Sequence, residues 1–156
     1  MSKYFLEADE LNSCITSLKK KDKKIGFTNG CFDLLHKGHI HLLKETKYFC
    51  DFLIVAINSD SSIKSLKGKD RPIDNESIRI KKLSKLNYID FIIIFNEETP
   101  LKLIKKLSPN ILFKGSDYEN KEIVGENFVK EQGGEIKLID LIKGISTTKI
   151  INNMKI

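Results

Sequence analysis

Four short apolar runs set the limits on how this chain folds. Phe52 to Ile57 (Phe-Leu-Ile-Val-Ala-Ile) and Phe91 to Phe95 (Phe-Ile-Ile-Ile-Phe) contain no polar residue, and Ile25 to Phe27 and Ile111 to Phe113 are shorter examples. A sheet with one wet face would alternate polar with apolar residues. Continuous runs instead mark strands covered on both faces, as in a parallel sheet sandwiched between helices. A fifth strand is expected over Glu135 to Ile139, after the helix-stopping pair Gly133-Gly134.

The intervening stretches have helical spacing. Residues 5 to 20 carry Leu11, Ile15 and Leu18, and a lysine run follows to Lys24. Gly38 through Tyr48 carries Ile40 and Leu43; Asn58-Ser59-Asp60 is placed to cap a short helix over Ser61 to Leu66. Asp74 is the expected N-cap of a helix through Leu86, with Ile78, Leu83 and Leu86 facing inward. Thr99-Pro100 opens another, carrying Leu101, Ile104 and Leu107, and Gly125 to Gln132 reads as one more. Strands alternating with helices predict an α/β, Rossmann-like, doubly wound parallel sheet of about five strands. We expect one domain over residues 1–156, residues 1–23 forming an N-terminal helical extension and 24–156 the core.

The turn leaving the first of these strands carries the chemistry. Thr28-Asn29-Gly30-Cys31-Phe32-Asp33-Leu34-Leu35-His36-Lys37-Gly38-His39 joins a strand to a helix start. Such a start presents backbone N–H groups and a positive dipole end, the outline of a phosphate site. Gly30 and Gly38 let backbone approach a ligand closely. His36 and His39 lie three residues apart, so both imidazoles are expected to reach one phosphate, with Lys37 adding fixed charge. A metal pair, or two ordinary helix-start residues, would also give this spacing. Lys67 to Arg71, ended by Pro72, is a basic loop that either closes over a triphosphate or is an exposed linker. Lys114-Gly115-Ser116-Asp117-Tyr118 leaves a strand at its carboxyl end, the edge where parallel sheets bind ligands. Ser146, Thr147 and Thr148 stand at the start of the last helix, a second expected anion position.

Composition narrows the class. The formal charge of +6 favours anionic partners, but the basic residues are dispersed and aromatics do not interleave with them, so nucleic acid is not expected. Cys14, Cys31 and Cys50 form no CxxC pair, which argues against a zinc site or a disulfide framework and for a reduced, cytoplasmic setting. No apolar run has the length of a signal peptide core or a membrane span.

These motifs resemble those of the cytidylyltransferase-like nucleotidyltransferases. Thr28 to His39 is similar to their His-x-Gly-His motif, and Ile145-Ser146-Thr147-Thr148-Lys149 to their C-terminal Ser/Thr motif. Asn58-Ser59-Asp60, Lys67-Gly68, Arg71-Pro72-Ile73, Glu97-Glu98-Thr99-Pro100, Lys114 to Tyr118 and Ile123-Val124-Gly125 resemble the heptose 1-phosphate adenylyltransferases within that superfamily. The resemblance runs from about Lys24 to the end. Ile145 stands where those enzymes commonly have arginine, and there the chain looks more like a glycerol-3-phosphate cytidylyltransferase.

The resemblance implies in-line attack by a sugar phosphate on the α-phosphorus of a nucleoside triphosphate, most simply ATP, with magnesium bridging phosphate oxygens and pyrophosphate leaving. It implies a nucleotidyltransferase-type fold, a homodimer, and catalytic roles for His36, His39, Lys37, Lys44 and Arg71. Nucleotide contacts would fall on Thr28, Asn29, Gly30, Cys31, Phe32, Lys114, Gly115, Ser146, Thr147 and Thr148. Asp33, Asn58, Asp60, Arg71 and Asp117 would contact the sugar phosphate, and no residue set is expected to hold a metal without substrate. A module that binds nucleotide without turnover is the alternative of a different class.

Overall fold

The computed structural model describes residues 2–141 and 147–154. Six strands, one more than expected, form a single sheet: β1 (Lys3–Phe5), β2 (Ile25–Gly30), β3 (Phe52–Asn58), β4 (Phe91–Phe95), β5 (Ile111–Gly115) and β6 (Glu135–Ile139). The helices are α1 (Ala8–Lys20), α2 (Lys37–Thr46), α3 (Asp60–Lys67), α4 (Glu76–Ser84), α5 (Leu101–Leu107), α6 (Glu126–Glu131) and α7 (Thr147–Met154). The strand order is β1-β4-β3-β2-β5-β6, and every pairing is parallel.

The extra strand corrects the reading of residues 1–23 as purely helical. Lys3, Tyr4 and Phe5 pair with Phe91, Ile92 and Ile93, and only Phe5 of the three is buried. A three-residue edge strand with one inward side chain carries too little pattern to stand out in sequence.

Alternate residues of each strand serve opposite faces. Ile54 and Ala56 meet Leu11 and Ile15 of α1 and Leu103, Ile104 and Leu107 of α5. Leu53, Val55 and Ile57 meet Leu43 of α2 and Leu83 of α4. Two helix details differ from expectation. Asn75, not Asp74, caps α4 by accepting from the Ile78 amide, and this turns Ile78 outward and Arg79 inward. Thr99 makes no cap bond to α5, whose N-cap position is Pro100.

The topology locates the ligand edge. From β2 the chain steps to β3 and then β4 on one side, and returns to β5 and β6 on the other. The order reverses between β2 and β5, and the crevice outside their carboxyl ends is where such sheets bind ligands. The segments leaving those ends are Cys31 to His36 and Ser116 to Tyr118.

Candidate functional site

The two histidines build the helix start themselves. His36 is the N-cap of α2; its Nδ1 accepts from the Gly38 amide at 3.1 Å and the His39 amide at 3.4 Å. His39 Nδ1 accepts in return from the His36 amide at 3.3 Å. This is a capping box made of two imidazoles. The rings stack with centroids 3.7 Å apart and planes 17° from parallel. The Gly38 and His39 amides, expected to face an anion directly, are therefore occupied by His36.

The caps also fix the tautomers. A ring nitrogen that accepts from an amide carries no proton, so in each neutral ring the proton sits on Nε2. Burial, then the neighbouring His36, pushes the His39 pKa down to about 3, and burial lowers that of His36 as well. Both rings are thus neutral Nε2–H donors at physiological pH. Buried Phe32 tilts against the His39 ring at 5.1 Å and holds its other side.

Asp33 organises the turn between strand and cap. Its carboxylate is fully buried and accepts from the amides of Ile73 at 2.9 Å and Asp74 at 2.8 Å and from Arg71 Nε at 2.9 Å. Burial alone would raise its pKa; the Asp74 and Ile73 amides and Arg71 outweigh that and lower it. Phe32 and Leu34 on either side have positive φ, 50° and 51°. Such backbone costs on the order of 1–3 kcal/mol per residue and persists where surrounding contacts over-determine it. Asp33 was expected to orient the acceptor or the loop; three donors of the loop segment, Arg71, Ile73 and Asp74, converge on it, so it is the loop that it holds in this structure.

Asn58 and Asp60 are engaged as well. Asn58 Nδ2 donates to Ser62 Oγ at 3.1 Å, its Oδ1 faces Cys31 Sγ at 3.7 Å, and the residue is buried. Asp60 Oδ1 accepts from Arg79 Nη2 at 2.7 Å. Asn58, at the end of β3, and Asp60, at the start of α3, thus make hydrogen bonds within the protein, and the Asp60 side chain remains partly exposed.

Arg79 is the residue at this edge that the sequence pattern hid. It is buried, and its guanidinium donates to the carbonyls of Asp74 (3.0 Å), Cys31 (3.0 Å) and Asn58 (2.6 Å) as well as to Asp60. One planar fork thereby spaces the carboxyl ends of β2 and β3. The chain has two arginines, Arg71 and Arg79, and both meet at this edge. That concentration in a lysine-rich chain was the available clue.

Of the remaining expected residues, Thr28 is buried in β2, whereas Asn29, Gly30 and Cys31 are half-buried at its end. Lys37 is exposed beside the histidines. Lys44 is exposed on the last turn of α2, about 8 Å along the axis from His39, and does not join the pair. Half-buried Lys114 lies over the Tyr118 ring at 4.9 Å; burial lowers its pKa against the opposing pull of Asp117. Asp117 is exposed, and Gly115 leaves the space that its carboxylate and Leu141 fill. Thr147 Oγ1 donates to the Asp33 carbonyl at 2.6 Å, which ties the start of α7 to the turn. Thr148 is exposed and lines a cleft of about 210 Å³ with Lys67, Asp70, Arg71, Ile73, Ile151 and Asn152. Ser146 lies outside the described residues.

The basic loop is docked at its distal end. Arg71 to Asp74 hangs on Asp33, while Lys67, Gly68 and Lys69 are exposed. Two buried polar side-chain atoms among the described residues have no partner, Asn29 Oδ1 and Arg71 Nη2. One is an acceptor at the end of β2 and the other a donor on the loop. Asp33, Asp60 and Asp74 are already paired, with Arg71, Arg79 and Lys82 respectively, so these carboxylates do not compose a resident magnesium site.

Residues 27–153 match the family model described as cytidylyltransferase-like. The chain belongs to that family. Among curated relatives it is 46% identical over 144 residues to the "Bifunctional protein HldE" of Nitrobacter winogradskyi and 51% identical over 136 residues to that of Campylobacter fetus. These alignments cover 92% and 87% of this chain but only 30% and 29% of the relatives' length. Of solved structures, the lipopolysaccharide core biosynthesis protein of Thermoplasma volcanium is 31% identical, with a TM-score of 0.63, covering 79% of this chain and 99% of that one. A pantoate-beta-alanine ligase of Francisella tularensis shares the fold at 19% identity, with a TM-score of 0.67 over 99% of this chain and 77% of its own. In this chain the paired histidines, the two arginines and the turn around Asp33 gather at the β2 edge of the sheet. No helix among the described residues is long and apolar enough to cross a membrane.

Proposed function

We propose that the chain is a nucleotidyltransferase that moves AMP from ATP to heptose 1-phosphate, giving ADP-heptose and pyrophosphate. The observation that carries the chemistry is the reciprocal cap of His36 and His39, which leaves two aligned, neutral Nε2–H donors at the edge of the sheet. Phosphoryl transfer needs little covalent help; it needs alignment and donors where negative charge moves. Two Nε2–H groups held by their own helix meet that need without prior rearrangement. Neither ring takes a proton in this account, because protonating Nδ1 would set a donor against the amides it now accepts from.

Arg71 Nη2, buried and unpartnered, suits a phosphate oxygen. Asn29 Oδ1 suits a donor on the nucleotide. Lys67 and Thr148, which share the cleft with Arg71, suit the outer phosphates. Magnesium enters with the triphosphate as part of the substrate. Lys114 and Asp117, on the carboxyl edge beside β2, are assigned to contacts with the sugar phosphate or the nucleotide. The heptose acceptor is supported by likeness to the HldE proteins and to the lipopolysaccharide core biosynthesis protein. We assign the chain to the cytoplasm and to a homodimer.

The test is pyrophosphate release with ATP, CTP and GTP, each against heptose 1-phosphate and glycerol 3-phosphate. ATP with heptose 1-phosphate should give the highest kcat/KM. Preference for CTP with glycerol 3-phosphate would reassign base and acceptor; no release with any pair would leave a nucleotide-binding module.

A further inference from the structure

Asn29 carries one of the two buried side-chain atoms that lack a partner among the described residues: nothing donates to its Oδ1. It stands next to last in β2, and the histidine cap does not use it. Alternation along the strand puts it on the face of Ile25 and Phe27, opposite the face that α2 covers through Leu43. Lys114 of β5 lies on that same face, two residues beyond Leu112.

The two strands part at this point. The register of β2 with β5 consists of Gly26 with Ile111 and Phe27 with Leu112, yet β2 continues to Gly30 and β5 to Gly115. Asn29 and Lys114 therefore flank, from opposite strands, the crevice where the strand order reverses. The Lys114 ammonium stays at this end, 4.9 Å over the Tyr118 ring.

The carboxamide oxygen only accepts and the ammonium only donates. A phosphate oxygen is itself an acceptor and has no proton for Asn29. ATP carries donors in two places, the ribose hydroxyls and the adenine amine. A hydroxyl both donates and accepts, so a vicinal pair answers Asn29 and Lys114 together. Ribose is also the part of the nucleotide joined to the α-phosphate, and β2 runs from Asn29 directly into the turn that presents His36. The adenine amine is at the far end of the molecule.

We propose that Asn29 selects a ribonucleotide: its Oδ1 accepts from a ribose hydroxyl lying between β2 and β5, and Lys114 donates to the same diol. This rests on the nucleotide reading above and adds what the site recognises on the nucleotide. The phosphates then lie against α2 and the arginine loop, and the sugar lies across the strand ends.

The experiment compares ATP with 2′-deoxy-ATP, 3′-deoxy-ATP and ITP, which lacks the amine, by calorimetric affinity and by kcat/KM. The proteins are the parent, Asn29→Ala, Asn29→Asp and Lys114→Met. The parent should favour ATP over at least one deoxy analogue by roughly tenfold to a hundredfold, the scale of a lost hydrogen bond that leaves a buried acceptor unpaired. Asn29→Ala should cut that ratio to within about threefold, since the pair being compared is gone. Asn29→Asp, which retains an acceptor, should keep it. Lys114→Met should narrow it, and serves if the Asn29 variants do not fold. Equal use of ATP and both deoxy analogues by the parent overturns the proposal, as does a ratio unchanged in Asn29→Ala. A discrimination against ITP that alone disappears in Asn29→Ala overturns it in favour of the base. A raised KM for heptose 1-phosphate with the deoxy ratios intact overturns it in favour of the acceptor. A parent that binds ATP but releases no pyrophosphate fails the transfer reading, and the affinity ratios still decide the claim made for Asn29. A parent that binds no ATP overturns both.

Discussion

Arg71 Nε lies 2.9 Å from Asp33 Oδ2, and this contact joins the basic loop to the turn that carries the histidines. The same carboxylate holds the Ile73 and Asp74 amides, and the Asp33 carbonyl takes the Thr147 hydroxyl. Loop, turn and last helix therefore share one buried residue. Asp33→Asn keeps the shape, removes the charge and turns one acceptor into a donor against three existing donors. We expect it to lower unfolding free energy by about 3 kcal/mol, as for a broken buried pair, read from urea denaturation. A stability within about 0.5 kcal/mol of the parent would show that the turn is held elsewhere.

Arg71 has a second donor that Asp33 does not satisfy. Its Nη2 is buried without a partner. Arg71→Lys can keep a charge near Asp33 but supplies no second nitrogen in a fixed fork. A charge-assisted hydrogen bond contributes about 1.5–3 kcal/mol, so KM for ATP should rise roughly tenfold to a hundredfold. Initial-rate measurements giving a parental KM would exclude Nη2 from the nucleotide.

Arg79 acts through the strands. Its four acceptors include the carbonyls of Cys31, just past the end of β2, and Asn58, the last residue of β3. Arg79→Met fits the volume but orphans those carbonyls and leaves Asp60 unpaired. A loss of at least about 3 kcal/mol is expected, and Arg79→Lys should not rescue it because one ammonium cannot span the set. Equal thermal midpoints for parent and Arg79→Met would contradict the clamp.

Acid should weaken the fold by two routes of the same sign. The His39 pKa is about 3 in the folded chain, against an ordinary value of about 6.5. The unfolded chain binds more protons between these values, so this contribution is present above pH 6.5 and is lost as pH falls toward 3. The lowered Asp33 carboxyl adds stability that is present above the ordinary carboxylate range and is lost as pH falls through its folded value. The urea midpoint should therefore drop between pH 7 and pH 5, and His39→Gln should flatten that slope. A midpoint that is constant or rises on acidification would contradict the neutral, capped state of the rings.

The core of the sheet was legible because β2 to β5 are buried on both faces and print their burial as unbroken apolar runs. β1 was not, since only Phe5 of its three residues faces inward. The histidine turn was legible from spacing, but its hydrogen bonds were not: a helix start looks equally open whether an anion or an imidazole fills it. Polar residues at strand ends posed the same ambiguity. Asp33, Asn58 and Asp60 have the composition of ligand-binding groups, and sequence alone does not show their bonds to Arg71, Ser62 and Arg79. Arg79 was hidden because the apolar pattern places Ile78, one position earlier, on the inward face of α4; Leu83 is buried as that pattern predicts, but Ile78 is exposed and Arg79 is buried.

The central claim is that the His36 and His39 Nε2–H groups act on charge that develops during transfer. The most direct measurement is turnover beside nucleotide affinity for His39→Ala: pyrophosphate release from ATP and heptose 1-phosphate, with ATP binding followed by calorimetry. Removing one such donor typically costs about a hundredfold to a thousandfold in rate. We predict a loss of that size in kcat, with the ATP dissociation constant changed by less than about tenfold, because the group contributes mainly in the transition state. A folded His39→Ala that binds ATP and turns over at close to the parental rate would contradict the account.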